Sequence, residues 1–273
     1  MYKFRVFTYY STCFNSFFFS MVPYMTETFS SLKSIIDSSK RIAIFTGAGI
    51  STESGIPDFR SPGGIWSKYQ PIDFSDFMAS AEMRRESWRR KFATESTISK
   101  ATPNRGHRAV AELVRRGQCH AVITQNVDNL HQDSGIPEEN IIELHGNATY
   151  ASCLECGDRF ELETIREIFK NDETLPVCTR CEGVVKTATI SFGQAMPELE
   201  MERAQTATFE CDLFIVIGSS LVVYPAAGFP SMAKQRGAKL VILNRDGTDQ
   251  DRAADLVLNE EIGVTLGEAV GVD

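Results

Sequence analysis

Short runs of branched apolar residues recur along the chain at 42–45, 121–124, 213–217, 239–243 and 256–258. They are too short for helices and hardly interrupted by polar residues, the pattern of strands buried on both faces of a parallel sheet. Helically spaced segments lie between them. After Pro103-Asn104, Ala109, Leu113 and Val114 share one face while Arg105, Arg108, Arg115 and Arg116 lie elsewhere. Further helices are expected from Thr26 through Ile36 and up to Gln235. This alternation predicts an α/β fold, a doubly wound parallel sheet. Residues 65–102 break the rhythm: Trp66, Tyr69, Phe74, Phe77 and Trp88 among charged helical stretches read as a small helical excursion from the sheet.

Open α/β sheets collect ligands beyond the carboxyl ends of their strands, and polar residues cluster there in this sequence. The run 42–45 leads through Thr46 to Gly47, Ala48 and Gly49, after which Ser51 is expected to cap a helix with Glu53 in its first turn. Two close glycines before a helix N-terminus let backbone N–H groups approach a diphosphate. The next glycine is Gly55, so the dinucleotide spacing G-x-G-x-x-G is not met. In its place Gly55-Ile56-Pro57-Asp58-Phe59-Arg60 reads as a lid over bound cofactor. Beyond 121–124 comes Gln125-Asn126-Val127-Asp128-Asn129-Leu130-His131, and beyond 213–217 comes Gly218-Ser219-Ser220. His145 stands before Gly146 where a short strand ends, so His131 and His145 both qualify as a general base near neutral pH.

Cys153-x-x-Cys156 and Cys178-x-x-Cys181 are separated by 21 residues, the spacing of a zinc ribbon. Four thiolates leave no open coordination position, so the Zn2+ is expected to be structural and catalysis to lie elsewhere. Cys13, Cys119 and Cys211 have no evident partners, which favours a reducing, cytoplasmic setting over a disulfide framework.

At 273 residues, 42% apolar and 23% charged, the chain can bury a large core in one or two domains. A net charge of −8, with basic runs no longer than Arg84-Arg85 and Arg89-Arg90-Lys91, argues against direct nucleic-acid binding. Residues 1–24 are uncharged after Arg5, aromatic and rich in Ser and Thr. They read as upstream sequence before a working start at Met21 or Met25 rather than as a signal peptide, since Tyr9, Tyr10, Asn15 and Ser16 dilute the apolar run, and no membrane association is expected.

Gly-Ala-Gly-Ile-Ser at 47–51, Ser-Gly-Ile-Pro-Asp-Phe-Arg at 54–60, Gly63-Gly64-Ile65-Trp66, and Thr-Gln-Asn-x-Asp-x-Leu-His at 124–131 together resemble the sirtuins, NAD-dependent protein lysine deacylases, of bacterial type. The likeness runs from about Lys33 to Val264. It implies a Rossmann-like large part (25–64, 103–148, 188–273), and a small part made of the helical insertion 65–102 and the zinc ribbon 149–187. It implies NAD+ contacts from Gly47, Ala48, Gly49, Glu53, Asp58, Phe59, Arg60, Gln125, Asn126, Val127, Asp128, Gly218, Ser219, Ser220 and Asn244. His145 would be the catalytic base, Asn126 would act at the reacting end of NAD+, and the residue matching His131 would be structural. Substrate peptide would pair with the strand near Ile190, Phe192 and Gly193, and meet Val222.

The resemblance further implies attack of an acyl-lysine oxygen on the ribose as nicotinamide leaves, with O-acyl-ADP-ribose as product. A mono-ADP-ribosyltransferase would share the first half-reaction. Three departures stand out: Lys186-Thr187 where many sirtuins have Arg-Pro, Gln194 where they have Glu, and Ser219 where they have Thr. The region 65–103 lacks the Tyr-x-x-Arg pair of members that prefer acidic acyl groups, which favours an uncharged acyl chain. Nothing in the sequence sets the oligomeric state.

Overall fold

The computed structural model describes residues 30–58, 64 and 69–273. Helical residues 30–38 (α1) precede strand β1 (Ile42–Thr46). The other strands of the main sheet are β2 (Cys119–Thr124), β3 (Ile141–Glu143), β7 (Leu213–Ile217), β8 (Lys239–Leu243) and β9 (Leu256–Leu258). All pair in parallel in the order β3-β2-β1-β7-β8-β9. The order reverses between β1 and β7, so the loops leaving those strands diverge to opposite faces and open a crevice at their carboxyl ends.

Strand alternation divides the core in two. Ile42, Ile44, Leu213, Ile215, Ile217, Val241 and Leu243 enter one cluster, joined by Leu113 of α4 (Arg105–Arg115) and Leu266 of α9 (Ile262–Val270). Ala43, Phe45, Phe214, Val216, Leu240 and Ile242 enter the other, against Ala204 of α7 (Glu198–Glu210) and Ala233 of α8 (Phe229–Gln235). Because both faces are covered, these strands carry no polar alternation. Asn104 caps α4, its side chain accepting from the backbone N–H groups of Gly106 and His107, as the Pro103-Asn104 start predicts.

A second, antiparallel sheet has the order β5-β4-β6, built from β4 (Gly146–Cys153), β5 (Arg159–Glu161) and β6 (Val185–Thr189). Its own apolar cluster joins Ala151, Val185 and Leu162, Ile165 and Phe169 of α6 (Leu162–Asp172) to Trp88 of α3 (Ala81–Ile98). Residues 65–102 are indeed helical over α2 (Phe74–Ala79) and α3. The expected start of α1 at Thr26 lies outside the described residues, as do Phe59, Arg60, Ile65, Trp66 and the whole of 1–24. No helix among the described residues is long and apolar enough to cross a membrane.

One local expectation is corrected. Ser51 does not cap a helix after the glycines: residues Ala48–Ser54 form a 3-10 helix with Gly47 at its N-cap position, and Ser51 is buried inside it. Its hydroxyl is occupied by Asp128, so it cannot serve a helix end. The helix expected up to Gln235 is α8, and it does not follow Ser219-Ser220 directly. A 3-10 turn, Ala226–Gly228, leads into α8, which leaves both serines in an open loop without a helix end to cap.

Candidate active site

Gly47, Gly49 and Gly218 interlock at the β1/β7 switch point. The Gly47 N–H donates to Ile217 O (3.0 Å) and the Gly49 N–H to Gly218 O (2.8 Å). A Cβ at Gly47 would stand 2.7 Å from Gly218 O, one at Gly49 2.7 Å from Gly218 Cα, and one at Gly218 2.3 Å from Ile50 N. Gly218 also takes φ of +63°, a backbone conformation that other residues adopt only with strain. Glycine is thus required here for loop-to-loop approach as well as for ligand access.

The crevice beside this junction is a cavity of about 590 Å3, within the range of small-molecule sites. Gly47, Ala48, Gly49, Glu53, Asp58, Gln125, Asn126, Val127, His145, Gly218, Ser219, Ser220 and Asn244 all line it, and so do Ile190, Phe192, Gly193 and Val222. Six chain segments, from the ends of β1, β2, β3, β7 and β8 and from the β6 exit, therefore meet in one space. Phe59 and Arg60 lie outside the described residues. Asp128 is buried and does not line the cavity: it accepts from the Ser51 hydroxyl (2.6 Å) and the Leu130 N–H (3.0 Å). Burial raises its carboxyl above the ordinary range, against those two donors. Glu53 lines the wall, while its carboxylate also accepts from the Gly263 N–H at 2.7 Å and so ties the turn to α9.

His145 is half-buried, with Nδ1 3.1 Å from the carbonyl oxygen of Gln125. A carbonyl can only accept, so Nδ1 carries the proton and Nε2 is left as the basic nitrogen. Burial lowers the imidazole pKa, opposed by the Gln125 carbonyl, and keeps the ring neutral near pH 7. The Leu144 N–H donates to Thr124 O and the Ile190 N–H to His145 O, at 3.0 and 2.8 Å, which fixes the histidine between β2 and the exit of β6.

His131 is fully buried, its Nε2 2.9 Å from Thr46 Oγ1, which in turn donates to Thr124 Oγ1 at 2.8 Å. Its ring lies 5.2 Å from that of His107, centroid to centroid. Burial, then the neighbouring His107, lowers His131 to about 3, while burial, then Arg108, lowers His107 to about 4. Neither ring lines the cavity. Of the two candidate bases, only His145 has a basic nitrogen at the crevice.

The four predicted cysteines converge, with all four Sγ atoms within 4.8 Å of one another and Sγ–Sγ distances of 3.5 Å for Cys153–Cys181 and Cys156–Cys178. Tetrahedral zinc with bonds of about 2.3 Å separates its sulfurs by about 3.8 Å, so the donor set fits one Zn2+. The Asp158 backbone N–H, then Arg180, holds the Cys156 thiol below its ordinary value. Gly183 leaves room for the cluster, since a Cβ there would lie 2.8 Å from Cys153 Sγ. Cys119 and Cys211 are buried, free and distant in chemistry from this set, with thiols pushed up to about 12 and about 11 by burial.

Lys186 and Gln194 already stood out in the sequence as departures; the wall of the crevice beyond β8 and β9 did not. Arg245, Asp246, Glu260, Glu261 and Ile262 line it beyond β8 and β9, where the strand-end rule could have found them. Lys186 is 3% exposed, its ammonium donating to the carbonyls of Thr187 and Thr189 and lying over the Phe77 ring. Burial alone lowers it to about 8. Gln194 closes the following turn, its Oε1 accepting from the Ser191 N–H at 3.1 Å.

The chain is 57% identical over 251 residues to an NAD-dependent protein deacetylase of Rhodopseudomonas palustris, covering 92% of this chain and 99% of the relative. It is 60% identical over 240 residues to NAD-dependent protein deacetylase 1 of Bradyrhizobium diazoefficiens, covering 88% and 94%. Among solved structures it superposes on a Sir2 complex with a p53 peptide and NAD+ with a TM-score of 0.79 at 34% identity, over 88% of this chain and 96% of that one. A Sir2 homologue bound to NAD gives a TM-score of 0.79 at 35% identity, over 89% and 92%. The Sir2 family model itself matches residues 47–225. That span holds the interlocked glycines, the 125–131 loop, His145 and all four cysteines, and the chain belongs to the Sir2 family, the sirtuins.

Proposed function

We propose that this protein is an NAD-dependent protein lysine deacylase that releases nicotinamide and O-acyl-ADP-ribose. The observation that carries the reading is the convergence of His145, Asn126, the glycine junction and the 190–193 segment on one cavity. NAD+, when bound, supplies the electrophilic ribose carbon and the nicotinamide leaving group. The residues fit it: Gly47, Ala48, Gly49, Ser219 and Ser220 would hold the phosphate and ribose side, and Asn244 the adenosine ribose. Gln125, Asn126 and Val127 would hold the reacting end. Asp128 acts from behind the wall, through Ser51, whose hydroxyl also accepts from Asn126 Nδ2 at 3.1 Å.

His145 Nε2 accepts a proton from a ribose hydroxyl, and the Gln125 carbonyl on Nδ1 holds the tautomer in which it can do so. Ile190, Phe192, Gly193 and Val222 receive an extended acyl-lysine peptide at the cavity mouth, where Phe192 and Val222 are exposed. The large part (25–64, 103–148, 188–273) carries the residues that line the cavity, and the small part (65–102, 149–187) is read as a separate lobe held by the zinc. The substrates are cytoplasmic acyl-lysine proteins.

The test is mass spectrometry of an acetyl-lysine peptide incubated with the protein, with and without NAD+. NAD+-dependent loss of acetyl with formation of O-acetyl-ADP-ribose is expected. ADP-ribose appearing on protein without loss of acetyl would replace this reading with a transferase.

A further inference from the structure

Asn147 lies two residues beyond His145 and is 2% exposed, yet no cofactor or peptide contact calls for it, since it does not line the cavity. All four of its side-chain hydrogen-bonding positions are used. Nδ2 donates to Asn129 Oδ1 (2.9 Å) and to Glu143 Oε1 (2.8 Å), while Oδ1 accepts from the N–H and hydroxyl of Thr149 (2.8 and 2.6 Å). The side chain therefore spans two pieces of the site. Asn129 belongs to the loop that carries Asn126 and Asp128, and Glu143 is the last residue of the strand leading into His145.

The partners are themselves held. Gln132 Nε2 donates to the same Glu143 oxygen at 2.7 Å, Asn129 Nδ2 donates to Asp133 Oδ1 at 2.8 Å, and the Ala148 N–H donates to Val127 O at 2.8 Å. Asn129 sits at φ of +69°, a strained conformation that this network sustains. A buried amide with every valence satisfied specifies one geometry, because any displacement leaves a buried polar atom without a partner.

We propose that Asn147 is a positioning residue that sets the 125–131 loop against His145, so that the groups acting on NAD+ and the base are aligned by one amide. The inference rests on the deacylase reading and on His145 as its base. Asn147→Asp keeps the shape and the two contacts to Thr149 but replaces both donors with an anion facing Glu143. Misplacement of reacting groups by about an ångström costs on the order of 100-fold, and a loss of roughly 10- to 100-fold in kcat/KM is expected for this variant. It should appear in both kcat and the KM for NAD+. Glu143→Gln in the same protein restores a donor opposite the new acid, and the Asn147→Asp/Glu143→Gln double variant is expected to regain about tenfold.

The assay is steady-state deacetylation of an acetyl-lysine peptide by the zinc-loaded full chain, with melting temperature and zinc content measured on each variant and His145→Ala run alongside. A loss and recovery of kcat/KM measured well below the melting temperatures of both variants, with zinc content unchanged, is a response that loss of stability alone would not produce. Wild-type kcat/KM for Asn147→Asp, or a folded double variant no better than the single, would overturn the proposal while His145→Ala remained inactive. An active His145→Ala would instead remove the base assignment beneath it. Should neither acidic variant fold, Asn147→Ala decides, with the same loss expected and unchanged activity overturning the role.

Discussion

The four-cysteine cluster and the strand-end cavity are built in opposite ways. The cysteines come from two neighbouring turns flanking α6, and their side chains converge on a cluster whose donors are identical. The cavity gathers Gly47, Asn126, His145, Ser219 and Asn244 from strand ends spread over most of the chain. Its residues are held by a parallel sheet buried on both faces, with no single bond in charge. One region concentrates its stability in a few ligands; the other distributes it over dozens of apolar contacts.

That contrast predicts different failures. Removing a zinc ligand by Cys178→Ser should have the largest effect, because apparent metal-binding energies of about 10 kcal/mol or more are folding energy in such sites. Bound zinc measured by atomic absorption should disappear, and hydrogen exchange should open β4, β5 and β6 while β1 and β7 stay protected. Uniform loss of protection in both sheets would erase the distinction between the regions.

In the cavity, Gly218→Ala tests whether backbone approach rather than ligand contact demands glycine. It combines left-handed backbone with a Cβ 2.3 Å from Ile50 N and should cost roughly 3 kcal/mol in denaturant unfolding. Gly55→Ala has φ of +84° but open space around its Cβ, so about 1 kcal/mol is expected from strain alone. Equal losses at the two positions would show that conformation, not the glycine junction, sets the penalty.

A further effect, absent at neutral pH, concerns acid. His107 and His131 have folded-state pKa values lowered to about 4 and about 3, below the ordinary histidine value of about 6.5 in the unfolded chain. Between these limits the unfolded chain binds more protons, so their contribution is fully present above about pH 6.5 and is lost as pH falls toward about 4. Urea midpoints should decline over that interval, and His131→Asn should flatten the decline. A pH-independent midpoint in the parent protein would contradict the burial of the pair.

Much of this was legible in the residues themselves. The apolar runs located five strands within a residue or two, since strands buried on both faces cannot tolerate polar alternation. Cys-x-x-Cys spacing identified the metal ligands, because a tetrahedral thiolate site needs little beyond two turns. The likeness of 47–60 and 124–131 to sirtuins brought the cavity residues together before any coordinate did. Local rules misjudged Ser51, whose hydroxyl looked like a helix cap and instead bridges Asp128 and Asn126, residues more than seventy positions away.

By itself, then, the sequence determined the fold class and the four-cysteine donor set, each of which depends on spacing or on residue type. Tertiary structure alone decided that Nδ1 of His145 faces a carbonyl, that Gly47, Gly49 and Gly218 need one another's missing side chains, and that Asn147 satisfies four partners at once. Those facts depend on which distant atoms share a few ångströms, and only packing of the sheet ends brings such atoms together.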